Sequence, residues 1–566
     1  MQYAELVDVY EELAATQATL EKRDALATAF ADVDPDTLGR LVTLVRGKAF
    51  ASWESADLGA STSLTTDAVV AATGVDAERV RRWYREEGDL GDAAAAAVAN
   101  RTQRTLFSDD LTVADVHETL QEIATYEGEG SQSRRVDAIA GLLSDAEPRE
   151  ARYVVRTVTG AMRLGVGEGL VRDALAEALL DGSEAAVAAV ERGYEVTNDY
   201  RVVAERAREG GRAALSELDV AVFRPIKPML AGKAEGLADA VETLARADGD
   251  GDDGDVLFEV KYDGIRAKLH GADEEFRLFT RRLADVTEQF PDVERAARAC
   301  IDADRYVLEA ELVGYDPDTG DPVPFQQLSR RVTRTEDIEA TAEEIPVAAY
   351  VFDAVAIDGE SLLETSLERR LAALESVLSP ASRRVERAAN RRVTDVDAAE
   401  AFYEAALDAG HEGVMAKRLD AAYQPGSRVG YQLKVKPTME PLDVVVPRAK
   451  WSEGRRSDFL GRPFLAVRDE SDDEFVEIGR MHTGFTDEEA AELTELLEPL
   501  IRAVDGREAD LDPEVVLEVA YEEIQESPTY DSGYALRFPR FERIRHDLDP
   551  ADVDTLARVE RLFDQQ

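Results

Sequence analysis

A single cysteine, Cys300, occurs in this 566-residue chain, and of its 66 basic residues only ten are lysines, leaving 56 arginines. One cysteine excludes a disulfide framework and any four-cysteine zinc site, and points to an intracellular, cytoplasmic protein. No apolar run approaches the roughly 18 residues of a membrane span, so no membrane partner is expected. The N-terminal MQYAELVDVYEEL is acidic and amphipathic, unlike a secretory leader. Neither a GxxxxGK[ST] loop nor a GxGxxG is present, which removes the motifs of a P-loop or dinucleotide fold. There is no internal repeat.

Acid is what the chain has in excess. Asp and Glu number 117, for a net charge of −51. The acidity is spread along the chain rather than gathered in a tail. That distribution suits a cytoplasm of molar salt, where the Debye length is about 3 Å and carboxylates keep the surface hydrated. An acidic binder of cationic partners is the alternative. A hydrophobic share of 44% supports globular domains, and the length suggests three of them.

Residues 1–220 carry apolar positions at helical spacing, as in LVDVYEELAATQATLEKRDAL, with breaks at GDLGD (88–92) and GVGEG (165–169). Residues 221–438 alternate β-branched runs such as VLFEVKY, YVLEAELVGY and YVFDAVAI with helical segments, predicting a mixed α/β domain; the acidic run at 248–255 reads as a solvent loop within it. Residues 439–566 show short strands and predict a small, mainly β domain.

The lysines are unevenly placed. Lys261 lies in EVKYDGIR, Lys417 in HEGVMAKR, and Lys434 and Lys436 in YQLKVKP, four of the ten within three strand-like segments of one domain. An amine can lose its proton and attack, whereas guanidinium stays charged, so a chain that has replaced most lysines keeps them where an amine is needed. Glu309 and Glu311 alternate on one strand and share a face, and Glu412 opens EGVMAK. Inward carboxylates are costly unless paired or metal-bound. Arg266, Arg281 and Arg428 stand beside turns or strand ends and have the fork that suits phosphate oxygens. Phe352 could stack on a base or fill a core. Together these groups suit attack by a lysine on a nucleotide phosphate.

KYDGIR resembles the KxDGxR motif of the covalent nucleotidyltransferases. FTRRLADVTEQFPD, LEAEL, YVFDAVAIDGESL, HEGVMAK, LKVK and ALRFPRFERIRHD resemble that superfamily's further motifs, in order. RPIKPMLA, VPFQQLSRR, HTGFTDEE and the helical N-terminus, including RTVTGAMRLGVGEG, resemble ATP-dependent DNA ligases of the archaeal and eukaryotic type, over nearly the whole chain. The resemblance implies an all-α DNA-binding domain, an α+β adenylation domain and a C-terminal β-barrel OB-fold in a multidomain monomer. It implies ATP and Mg²⁺ as cofactors and nicked double-stranded DNA as substrate, in replication, repair and recombination. It makes Lys261 the adenylylated residue. It assigns Glu259 to the adenine amino group, Phe352 to the base face, and Arg266 and Glu311 to the ribose and phosphate region. Glu311 and Glu412 would serve Mg²⁺, Arg281 a phosphate, and Arg428 and Lys434 the α-phosphate, with Lys436 beside them. Helix starts such as GVGEG would meet DNA phosphates.

Three positions depart from the family's pattern. Leu548 follows Arg545-His546-Asp547 where a lysine is usual, leaving Arg540 or Arg543 to orient pyrophosphate; Gln432 stands where tryptophan is usual; and Arg282 replaces an asparagine. Gln103-Arg104-Thr105-Leu106-Phe107 resembles a sliding-clamp motif through Gln103, Leu106 and Phe107. An RNA ligase or capping-type enzyme shares the lysine motif but not the helical N-terminus, and a catalytically inactive DNA-binding scaffold is the reading from another class.

Overall fold

The structure is a computed structural model that describes residues 1–564 apart from 55, 102–109, 129, 246–255, 382, 438, 453–458, 472, 473 and 483. The clamp-like segment and the acidic run therefore lie outside the described residues. The chain divides into two compact units, Met1–Val435 and Lys436–Gln566.

The first unit begins with twelve helices among the described residues, from Tyr3–Ala15 to Tyr200–Ser216. Their ends follow local chemistry. The Asp34 carboxylate accepts the Thr37 N–H ahead of Pro35, Ser61 accepts from Leu64, and Asp89 accepts from Asp92, while Gly74 and Gly88 end helices in the left-handed conformation. The break at 88–92 is thus a glycine stop followed by an aspartate start. Leu6, Tyr10, Leu26, Phe30, Leu120 and Val154 form the helical core, which continues through Met229, Val307, Val355, Tyr423 and Val429 of the mixed region.

The mixed region holds eleven strands among the described residues: β1 (Leu230–Lys233), β2 (Val256–Lys261), β3 (Ile265–Ala272), β4 (Glu275–Thr280), β5 (Arg305–Gly314), β6 (Val347–Ile357), β7 (Glu360–Ser361), β8 (Val385–Arg387), β9 (Asn390–Val393), β10 (Gly413–Arg418) and β11 (Arg428–Val435). They form two sheets. One has the order β1-β11-β10-β2-β9, the other β4-β3-β5-β6-β7 with β8 on β6. The Lys261-to-Ile265 stretch takes the chain from the first sheet to the second through a three-residue turn. Gly264 is required there, because a Cβ would stand 2.2 Å from the Leu312 carbonyl oxygen.

The linker into this region is pinned. Phe223 adopts φ 67°, and its N–H donates to His270 Nδ1 at 3.0 Å. His270 is fully buried and meets Phe279 edge-on, while the Arg277 guanidinium lies over the Phe223 ring. Lys227 reaches Glu168 at 2.5 Å, and Glu168 also takes Arg46 at 3.0 Å. The first residue of the GVGEG helix, Glu168, is thus paired with cations of the protein itself.

The second unit contains β12 (Leu442–Val445), β13 (Arg448–Lys450), β14 (Arg462–Asp469), β15 (Glu474–Arg480), β16 (Ile501–Asp505), β17 (Glu508–Leu511), β18 (Val516–Ala520), β19 (Glu523–Glu526), β20 (Tyr534–Arg537) and β21 (Arg540–Ile544). The main sheet runs β16-β17-β13-β14-β12-β18-β21, with β15 on β14, and β19 pairs with β20. Among the described residues this path stays open between β16 and β21, so the unit is strand-rich without a closed barrel. Leu548 packs with Val445, Ala466, Val516 and Val553.

Candidate active site

Register decides which side chains meet. In the first sheet Lys261 opposes Gly413, Glu259 opposes Met415 and Leu257 opposes Lys417; Met415 and Lys417 in turn oppose Lys434 and Gln432. Opposed residues share a face, and alternate residues return to it. Lys261, Glu259, Lys417, Lys434 and Gln432 therefore line one side of the sheet. In the second sheet Arg266 opposes Glu311, and Lys268 opposes Glu309, which opposes Asp353. Glu309 and Glu311 do share a face.

Lys261 closes β2 with its side chain about one quarter exposed, and its ammonium bonds the Glu412 carboxylate. Gly413 beside it has φ 130°, a region closed to most side chains. The Glu311 carboxyl is pushed up to about 7, first by desolvation and then by the charges of Glu412 and Asp263, against the pull of Lys261 and Arg266. Glu412, Glu311 and Asp263 thus lie near Lys261, and it is chiefly burial that disfavours the charged form of Glu311. Among the described residues no group of three His, Cys, Asp or Glu side chains is arranged to hold a metal unaided. The carboxylates of Glu311 and Glu412 are hard oxygen donors, the kind a divalent cation takes.

Deeper in the second sheet lies a buried ionic cluster. Glu309, fully buried, accepts from Arg266, from Lys268 and from the Tyr423 hydroxyl at 2.7 Å. Burial alone would raise its carboxyl, but the Arg266 and Lys268 cations hold it down at about 2. Tyr423 also receives the Met229 N–H at 3.1 Å, and Arg266 donates to the Met229 carbonyl at 2.8 Å. Arg266 is therefore committed to Glu309 and Met229, with its guanidinium 5.3 Å from the Phe352 ring centre. Sequence reasoning missed Lys268 and Tyr423. Lys268 is one of the ten lysines and lies two residues from Arg266 on the same strand, which was the available signal.

Phe352 owes its aim to a bulge. Glu309 opposes Asp353 and Ala310 opposes Val351, so Phe352 has no opposite residue. It packs beside the first sheet with Val260 and Ala416. The Lys417 ammonium is 4.8 Å from its ring centre. Lys417 also bonds Glu259, and both are buried. Burial raises the Glu259 carboxyl, an effect Lys417 opposes.

Other expected residues are less engaged. Arg428 opens β11, exposed, and donates to the Ala231 carbonyl at 2.7 Å; six extended residues put it about 20 Å along the strand from Lys434. Arg281 stands exposed in the turn after β4. Lys436, in the second unit, lies 3.8 Å from Glu522. There too, Arg545 bonds Asp443, Asp547 and Glu518, and Arg543 bonds Glu518.

Comparison with known proteins adds three family-model matches. Residues 2–176 match the DNA ligase N terminus, 228–436 the ATP dependent DNA ligase domain and 456–548 the ATP dependent DNA ligase C terminal region. The DNA ligase of Thermococcus fumicolans is 40% identical over 566 residues, spanning 100% of this chain and 99% of that one. The DNA ligase of Haloferax volcanii is 41% identical over 602 residues, covering 100% of each. The solved structure of Pmar-Lig_PreS3 shares the fold, with a TM-score of 0.56 and 16% identity over 95% of this chain and 99% of that one.

Proposed function

Since this chain belongs to the ATP-dependent DNA ligase family, we propose that Lys261 is the residue through which it passes AMP to DNA. The enzyme joins DNA by forming phosphodiester bonds, with ATP and a divalent metal. The observation that carries the assignment of Lys261 is its position: an amine at a strand end, on the same face as Glu259 and Lys434, touching Glu412.

In the first step the Lys261 Nζ lone pair attacks the α-phosphorus of ATP. The ammonium first loses a proton to water; a P–N bond then forms, the bond to the pyrophosphate oxygen breaks, and the second amine proton leaves with the released pyrophosphate. Mg²⁺ held by Glu311 and Glu412 would compete with Lys261 for those carboxylates, favour the neutral amine and offset charge on the phosphoryl oxygens. Lys434 faces the same space as a fixed cation. Glu259 and Phe352 hold the adenine by its edge and face. AMP then passes from Lys261 to the 5′-phosphate of a nick, and the 3′-hydroxyl displaces it to close the strand.

Around this centre we assign residues 1–220 to DNA binding, 221–438 to adenylation and 439–566 to an OB-type domain. We read the enzyme as a cytoplasmic monomer of a salt-loving archaeon, with the 103–107 segment available to a sliding clamp. The test is transfer of label from α-phosphate-labelled ATP to protein in molar KCl with Mg²⁺. Wild type should carry an acid-labile label and Lys261→Ala none; label on the alanine variant would remove Lys261 from the role.

A further inference from the structure

Glu259 is held in an unusual way. The residue is 3% exposed, Oε1 accepts from the Lys417 ammonium, and Oε2 is buried with no hydrogen-bond partner among the described residues. Lys417, itself 4% exposed, reaches this carboxylate from β10, one row away on the same sheet face. Its ammonium also sits 4.8 Å from the Phe352 ring centre. One buried lysine thus touches both groups assigned above to the base.

A buried carboxylate is stable as an anion only with a partner charge. With Lys417 in place, the open oxygen of Glu259 can accept a hydrogen bond and cannot donate one. The 6-amino group of adenine donates there. The 6-oxo group of hypoxanthine or guanine would bring a second acceptor against it, and rejection of that kind is large when buried polar groups are left unmatched. Without Lys417, burial favours the protonated carboxyl, whose O–H can donate to a 6-oxo group. The charged groups facing Glu259 are Lys417 from β10, Asp353 from β6 and Arg266 from β3. Arg266 and Asp353 already have partners of their own in Glu309 and Arg370.

We propose that Lys417 is a positioning residue that keeps Glu259 an acceptor-only reader and so sets the preference for 6-amino over 6-oxo purine nucleotides. This rests on the assignment of Glu259 and Phe352 to the base.

The experiment measures kcat/KM for self-adenylylation with ATP and for the corresponding transfer from ITP, in the full chain at constant KCl. It compares wild type, Lys417→Met, Lys417→Gln, Lys417→Arg and Glu259→Gln, with the glutamine variant at 417 standing in should the methionine variant not fold. Lys417→Met and Lys417→Gln should each lower the ATP-to-ITP ratio by at least about tenfold, while Lys417→Arg, which keeps the charge, should hold it near wild type. Equal losses with both nucleotides, leaving the ratio unchanged, would overturn the proposal. Glu259→Gln separates the two levels. If it relaxes the ratio while the neutral Lys417 variants do not, only the lysine's role falls; if it leaves the ratio intact, the base is read elsewhere.

Discussion

The pinned linker makes stability depend on the charge of one imidazole. His270 accepts the Phe223 N–H through Nδ1, so that nitrogen must be unprotonated, and burial, followed by the Lys268 and Arg277 charges, pushes the ring down to about 3 from 6.5. The unfolded chain therefore takes up a proton near pH 6.5 that the folded chain refuses, and stability falls as pH drops through that value. At about 1.4 kcal/mol for each pKa step of one, the loss due to His270 between pH 7.5 and 5 is about 2 kcal/mol. His270→Asn places an amide oxygen close to Nδ1, keeps the acceptor and cannot be charged. Urea unfolding followed by circular dichroism at fixed KCl should show wild type losing about 2 kcal/mol more than the variant over that range. His117, pushed down to about 4 by burial, also titrates on unfolding, but its contribution is common to both proteins. Parallel stability curves for the two proteins would refute the reasoning.

Further predictions concern the site and its support. Glu309→Gln strands Lys268 and Arg266 and should cost about 3–5 kcal/mol in the same unfolding assay, whereas Lys268→Met with Glu309→Leu, which strands Arg266 alone, should cost less; equal costs would speak against a coupled cluster. Gly264→Ala forces the turn away from the Leu312 carbonyl and should lower the self-adenylylation rate by roughly a hundredfold, a near-normal rate being the adverse result. Phe352→Ala removes a stacking surface and should raise KM for ATP roughly tenfold with a smaller change in kcat, so an unchanged KM would place the base elsewhere.

The parts of this site that follow local rules were readable from the chain. Strand alternation placed Glu309 and Glu311 on one face, the shortage of lysine singled out Lys261 and Lys417, and glycine with aspartate marked the break at 88–92. What depends on pairing between distant strands was not readable. Glu259 and Lys417 are 158 residues apart and meet because β2 lies against β10. The aim of Phe352 comes from a bulge that β5 imposes on β6, and the enclosure of Arg266 comes from Glu309 and Met229. Leu548, at the position where a cation was expected, packs with Val445 and Val553. Short strands in the last unit were legible, but whether they close on themselves is set by which edges pair.

The crossing of the chain from one sheet to the other within three residues has an evolutionary consequence. Glu259, Lys417 and Lys434 belong to the first sheet, while Arg266, Glu309 and Glu311 belong to the second. The Glu259–Lys417 pair and the Glu309 cluster thus sit on different sheets, joined where Lys261 ends β2. Substitutions that retune one can accumulate with little disturbance to the other. Phe352 crosses that division, leaning from the second sheet toward the first, and changes there should be felt on both sides.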